Sequence, residues 1–183
     1  MDLHAWFEKG LTTKEYMKDL DKHKDGFLNI YHHFSIPSGE EDFIDELRDR
    51  NLRIIVLAEV WCGHCMLDIP ILLQLANAAN TPVRFLRRDE NLELMDQHLT
   101  NGRSRTIPIM LFIDEEGHQV AKWGPIAPEV KAFVQEHSGD LPEKDDPTYD
   151  EKFKKLITFT AKEFSENEDI WSIVYKDIKE ALQ

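Results

Sequence analysis

Leu52-Arg53-Ile54-Ile55-Val56-Leu57-Ala58-Glu59-Val60-Trp61-Cys62-Gly63-His64-Cys65 is the stretch that decides the fold of this chain. Its first seven residues have the length and β-branched content of a buried strand. Its last four hold both cysteines of the 183-residue chain, in a C-x-x-C spacing. The residues that follow, Met66 to Asn80, are mostly helix formers interrupted by Pro70. A C-x-x-C at such a junction sets the first sulfur at a helix N-terminus. There, unpaired N–H groups and the helix dipole favour the thiolate, the reactive form of sulfur. Three residues apart on a helix, Cys62 and Cys65 share a face, and their sulfurs can bond with little movement.

On either side the pattern alternates between helices and strands. Residues 1 to 36 read as short helices. Thr12 or Thr13 can cap one carrying Tyr16, Met17 and Leu20 on one face, Asp25-Gly26 makes a turn, and Phe27, Ile30, Tyr31 and Phe34 follow at helical spacing. Pro37 breaks the chain. Ser38, with Glu41 three residues on, predicts a capping box for a helix with a buried stripe of Phe43, Ile44 and Leu47. Downstream the spacing predicts strand 52–58, a helix from about 63 to 79, strand 82–87 and a helix over about 91–99. Strands 107–113 and 118–123 follow, joined by the hairpin turn Asp114-Glu115-Glu116-Gly117. Pro128 opens a helix to about His137, which Gly139 stops. The order βαβα then ββα predicts an α/β fold with a mixed sheet.

From Gly139 to Thr148 the chain turns polar and reads as a linker. Two amphipathic helices follow. One carries Phe153, Ile157, Ala161 and Phe164 at helical spacing, with Phe159 off that stripe; the other carries Ile170, Trp171, Ile173, Val174, Ile178 and Leu182. Such large apolar faces are expected to dock on the core or on a second subunit, so a homodimer through the terminal helices is one expectation. The expected division is a helical extension 1–37, an α/β domain 38–139, and a linker with helical extension 140–183.

Hydrophobic residues at 42% and charged residues at 31% describe a soluble globular chain. A net charge of −13 argues against general nucleic-acid or anionic-membrane partners, since both surfaces repel it. The N-terminus, Met1-Asp2-Leu3-His4-Ala5-Trp6-Phe7, lacks the charged-then-apolar pattern of a signal peptide. No segment approaches the roughly 20 apolar residues of a membrane span. The expectation is a cytoplasmic protein, where a C-x-x-C is more often catalytic or metal-binding than a static cross-link. A closed zinc site needs four ligands; without a second cysteine pair, His32-His33, His98 or His118 complete one only by folding or dimerisation. Asp21-Lys22-His23-Lys24-Asp25-Gly26 starts like a calcium loop, but its twelfth position is His32 instead of a glutamate.

Trp61-Cys62-Gly63-His64-Cys65, Pro70 within the helix, and Thr106-Ile107-Pro108 opening a later strand together resemble the thioredoxin superfamily. The resemblance covers roughly residues 38 to 138 and implies a thioredoxin fold, α/β with a central mixed sheet flanked by helices, here with extra N- and C-terminal helices. It implies Pro108 in the cis form facing the dithiol, Trp61 packed beside Cys62, and Gly124 of Trp123-Gly124-Pro125 in a loop flanking the site. Gly63 would let a partner chain approach the exposed sulfur, and Ile107-Pro108 would offer backbone to an extended substrate strand. Disulfide isomerases carry the same Gly-His pair, whereas cytosolic thioredoxins usually carry Gly-Pro. A cationic His64 beside Cys62 would stabilise its thiolate and make the disulfide a stronger oxidant, in tension with a cytosolic address.

The chain also departs from the family. The buried aspartate usual in the strand before the motif is replaced by Val56, and the lysine that often accompanies it falls near Phe85. Asp68, one turn after Cys65 on the same helix face, can substitute, as in some membrane-linked thioredoxin-like reductases; Glu59 is the second candidate. A buried acid of this kind has a raised pKa and can exchange a proton with Cys65. Asp68 can equally be a charge that favours a helix N-terminus. Arg103-Ser104-Arg105 precedes the proline segment. It can either lower the pKa of Cys62 and select an acidic partner, or form a solvated loop paired with Asp89 and Glu90. Trp123 is either a recognition aromatic or the end of a strand.

These features predict a bacterial-type thiol–disulfide oxidoreductase with catalytic Cys62, Cys65 and Asp68, and a substrate groove of Trp61, Gly63, His64, Ile107, Pro108 and Gly124. Its expected partners are disulfide-containing proteins or low-molecular-weight thiols and an unidentified electron donor; no organic cofactor is implied. The alternatives are a redox-sensing binding module, or a metal or iron–sulfur protein using the C-x-x-C across a dimer.

Overall fold

The β-branched run Arg53–Ala58 forms strand β1, buried from Ile54 onward. Three shorter strands join it: β2 (Val83–Arg87), β3 (Ile109–Ile113) and β4 (Gln119–Trp123). The computed structural model describes residues 2–139 and 141–183. Met1 and Asp140, which begin the two expected end segments, lie outside the described residues. The sheet order is β2-β1-β3-β4, with β1 and β2 parallel and the other two pairs antiparallel. Val56 stands opposite Phe85 on one side and Met110 on the other, so the positions where the family has its aspartate and lysine form an apolar seam.

Helices α1 (His4–Lys9), α2 (Thr13–Lys18), α3 (Lys24–His33) and α4 (Glu41–Asp49) precede the sheet. Helix α5 (Gly63–Ala78) is the crossover between β1 and β2. It is followed by the one-turn α6 (Leu92–Met95), then α7 (Pro128–Ser138), α8 (Tyr149–Glu166) and α9 (Glu168–Glu180).

Helix α5 is apolar on every side, and its residues from Cys65 to Leu73, with Leu75 and Ala76, are buried. Such a helix needs cover all round. One side lies on the sheet, and α3, α8 and α9 close the others. Where α3, α5 and α8 meet, a Cβ at Gly26 would stand 2.5 Å from the Met66 sulfur and 3.2 Å from the Ser165 Cβ, so any larger residue would force the Met66 side chain to shift. The amide of Asn29 donates to the Ser165 carbonyl at 2.7 Å, and the Trp171 indole to the Phe164 carbonyl at 2.7 Å. The N-terminal segment covers the outer edge of β2, where Leu11 and Phe85 exchange backbone hydrogen bonds of 2.8 and 2.9 Å.

Most expected elements form within a residue or two, and Thr12 with Glu15 makes a complete capping box for α2. Four details differ. Asp25-Gly26 lies inside the first turn of α3 because the helix starts at Lys24. Ser38 does not cap α4: Gly39, at φ +86°, turns the chain so that the helix begins at Glu41. The helix expected over 91–99 is cut to Leu92–Met95 by the Thr100–Ser104 turn, in which Asn101 and Gly102 have positive φ. Phe164, Ile170, Trp171, Val174, Ile178 and Leu182 dock on the core as expected, but Phe153, Ile157 and Phe159 of α8 stay exposed on this chain.

Trp171, nearly fully buried, tests whether α9 is integral to the core. Trp171→Ala should cost about 3–5 kcal/mol in urea unfolding, and Trp171→Phe, which loses the hydrogen bond, about 1–2. A loss below about 1 kcal/mol for the alanine variant would mean that the core does not depend on α9.

Candidate active site

Cys62 is the N-cap of α5, in an extended conformation, with its Sγ accepting the Cys65 N–H at 3.4 Å. Its thiol also donates to the Ile107 carbonyl at 3.6 Å. It is 8% exposed, whereas Cys65 is 1% exposed. The environments push the two thiols apart. Cys62 is lowered to about 7 by its hydrogen bond with Cys65, by the backbone N–H groups of Cys65 and His64, and by the Arg88 guanidinium, against the opposing effect of burial. Cys65 is raised well above the usual thiol range by burial, by the Cys62 sulfur and by Asp68.

The fold brings the expected groove residues around this pair. The Ile107–Pro108 and Gly124–Pro125 bonds are both cis. Gly124, at φ +112°, lies directly against the Pro108 carbonyl, where any Cβ would collide with backbone. A Cβ at Gly63 would meet nothing within 4 Å, so this residue faces open space. Trp61 is 47% exposed, with its carbonyl 3.1 Å from His23 Nε2. The Arg88 guanidinium lies 4.9 Å from the centre of the Trp61 ring.

Asp68 is 1% exposed, and neither carboxylate oxygen has a hydrogen-bond partner among the described residues. Burial, then the nearby Cys62 sulfur and Asp177 of α9, hold its pKa well above the usual carboxyl range. Glu59, the other expected acid, is also buried, but its carboxylate accepts the Asp89 N–H at 3.0 Å. Of the two, Asp68 is the unpaired acid beside the dithiol.

The structure decides between readings left open and corrects others. For Arg103-Ser104-Arg105 the solvated loop is the reading that holds: both arginines are exposed, Arg105 forms a two-pronged ion pair with Asp96 at 2.6 and 2.9 Å instead of pairing with Asp89 or Glu90, and Arg88 is the cation that acts on the Cys62 thiol. Trp123 is buried and donates to Asp177 at 2.6 Å, so it is a strand end tied to α9. His64 is half-buried, and burial lowers its pKa, which disfavours the cation expected beside Cys62. His32 and His33 are both exposed on α3. Asp114, Glu116 and His118 converge in the β3–β4 turn, a grouping of possible metal ligands that contains neither thiol.

Sequence reasoning missed Tyr16 and Phe164. The Tyr16 hydroxyl donates to the Glu59 carbonyl at 3.4 Å, its ring stacks on Phe85 with centroids 4.3 Å apart, and burial and the thiols raise its pKa. The Phe164 ring centre lies 5.2 Å from that of His64. Both residues stood in apolar helical stripes, which announce burial without saying against what.

The thioredoxin family model matches residues 10–138. The chain belongs to the thioredoxin family. The match opens within the first helical segment and closes at the end of α7, leaving α8 and α9 beyond it. No curated protein matches the chain. A protein of unknown function from Pseudomonas aeruginosa has a similar solved structure, with a TM-score of 0.60 and 15% identity over 96% of this chain and 99% of that one. An HIV epitope-scaffold structure is similar at a TM-score of 0.59 and 16% identity, over the same shares. At these identities the likeness is one of fold, and it extends over the end segments as well as the thioredoxin core.

Two measurements check the electrostatics. Thiolate absorbance or alkylation rate should show Cys62 titrating with a midpoint near 7, about 1.5 units below an ordinary cysteine, while Cys65 stays protonated. A single midpoint near 8.5 for both would contradict the structure. Asp68 contributes to pH-dependent stability with the opposite sign to a paired acid. Below about pH 4 it is protonated both folded and unfolded. Above that the unfolded chain ionises and the folded one does not, so stability falls as pH rises, by up to about 1.4 kcal/mol per unit. Asp68→Asn should remove that slope, and the advantage of the variant in urea unfolding should grow from about pH 5 to pH 7. An advantage constant across that range would mean that the buried acid is ionised.

Proposed function

We propose that this protein is a thiol–disulfide oxidoreductase acting on disulfide-bearing proteins or low-molecular-weight disulfides. The observation that carries the reading is the split between the sulfurs: a low-pKa Cys62 capping α5, itself largely buried, and a more deeply buried, high-pKa Cys65 one turn below. The Cys62 thiolate attacks a substrate sulfur, a mixed disulfide forms, and the first substrate sulfur leaves as a thiolate that takes up a proton. Cys65 then loses its proton and attacks the Cys62 sulfur. The second substrate thiol is released, and two electrons have passed to the substrate. The departing substrate thiolate takes up the proton that Cys65 loses; the protonated Asp68 carboxyl beside Cys65 can only relay it, taking the Cys65 proton as it gives up its own.

Trp61, Gly63, Ile107, Pro108 and Gly124 form the groove, in which the Ile107 segment offers backbone to an extended substrate. A thiol-class reductant must restore the dithiol. No described helix is long and apolar enough to cross a membrane, and the net charge of −13 disfavours nucleic acid. The setting that fits a chain with one C-x-x-C and no further cysteines is the cytoplasm, with thiol partners. A second reading, a redox-sensing binding module, draws on the exposed Phe153, Ile157 and Phe159. Redox-dependent partner capture without turnover on generic disulfides would favour it.

Cys62→Ser should abolish reduction of a model disulfide. Cys65→Ser should attack but not resolve, accumulating mixed disulfides visible on non-reducing gels and dispersed by dithiothreitol. A Cys65→Ser protein that traps nothing from a disulfide-rich substrate would overturn the mechanism.

A further inference from the structure

We propose that Phe164, on the appended helix α8, is a positioning residue for the dithiol: its ring covers His64 and sets the redox potential of the Cys62–Cys65 pair below the value that Gly63-His64 alone would give. The inference rests on the proposed dithiol exchange and names what regulates it.

His64 sits between the two cysteines, and its charge state decides how strongly it favours the Cys62 thiolate. An imidazolium carries a proton on both nitrogens and needs an acceptor, or water, for each. His64 Nδ1 is buried and has no partner among the described residues, and the Phe164 ring, tilted by 50° to the imidazole with ring centres 5.2 Å apart, offers no acceptor. Protonation there would leave a buried charged donor unsatisfied, which costs more than a neutral one. The neutral ring is the one this pocket holds, and burial lowers the His64 pKa accordingly.

Phe164 cannot readily swing aside. It is 2% exposed, its carbonyl accepts the Trp171 indole, and the next carbonyl, of Ser165, accepts the Asn29 amide. It also lies beyond residues 10–138, the part matched by the family, so the cover comes from the added helix. With His64 neutral, the reduced form loses one source of thiolate stabilisation and the disulfide is a weaker oxidant. Arg88 remains as the cation that acts on Cys62.

The test is the thiol–disulfide equilibrium constant against glutathione, read by mass spectrometry after alkylation. It is run near pH 6, where an exposed imidazole with a pKa of about 6.5 is mostly cationic. Phe164→Ala should admit water to His64 and make the disulfide more oxidising by about tenfold, equivalent to about 30 mV for two electrons. Phe164→Leu, which keeps an apolar cover, should stay within about threefold of wild type. His64→Ala should also move the constant by less than about threefold, and Phe164→Ala should have no added effect in that background. A shift of the same size with His64 absent would reduce Phe164 to general packing and overturn the proposal. If Phe164→Ala does not fold, His64→Ala decides alone, because a tenfold loss of oxidising power on removing the ring would mean that it already carried charge. Failure of the dithiol reading has a separate signature: a wild-type protein that forms no internal disulfide at any poise, in which case the inference falls with it.

Discussion

The need to bury α5 on every side governs this structure. A crossover helix in an α/β fold usually lies on the sheet with one stripe and shows water the rest. Here Met66, Leu67, Ile69, Ile71, Leu72, Leu73 and Leu75 leave only His64, Asp68, Gln74 and Asn77 as polar side chains, too few for a polar face. The sheet covers one side, and the remaining apolar area has to be taken by α3, α8 and α9. The end segments are therefore walls of the core, and Gly26 marks how closely one of them is drawn in.

That burial shapes the site as well as the stability. The N-terminus of α5 presents its first amides to Cys62 while the helix body carries Cys65 and Asp68 into the dry interior, so one helix gives one sulfur a lowered pKa and the other a raised one. The same low-polarity surroundings keep Asp68 protonated, and α9 deepens the effect by placing Asp177 nearby. The acid usual in the family sits on a strand. Here Val56 and Phe85 close that seam with apolar side chains, and the buried acid nearest the dithiol in sequence after Cys65 is Asp68, on the helix.

Much of this was legible in the chain. The run Ile54–Ala58, the C-x-x-C at its end and the Asp114–Gly117 turn are local signals whose meaning survives folding, because β-branched packing, helix capping and a positive-φ glycine act over a few residues. Asp68 was visible as an acid amid apolar neighbours one turn from Cys65. Other residues were left open or misread for a physical reason. Arg103 and Arg105 stood nearest the proline segment in sequence, yet the Asn101-Gly102 turn directs Arg105 to Asp96 and leaves Arg88 to reach Trp61 and Cys62. Ser38 and Glu41 matched a capping pattern that Gly39 overrides by turning the chain.

The sequence by itself determined the fold class, the position of the dithiol at a strand-to-helix junction, and the presence of two amphipathic helices at the end of the chain. Each of these depends on period and spacing, which are properties of neighbours along the chain. Only the tertiary structure decided what the dithiol feels. That α8 lays Phe164 on His64, that Trp123 is tied to Asp177 instead of facing a partner, and that Asp68 is left without a hydrogen bond are all consequences of contacts between residues far apart in sequence. Proton affinity depends on burial and on charges within a few ångströms, and a linear pattern specifies neither.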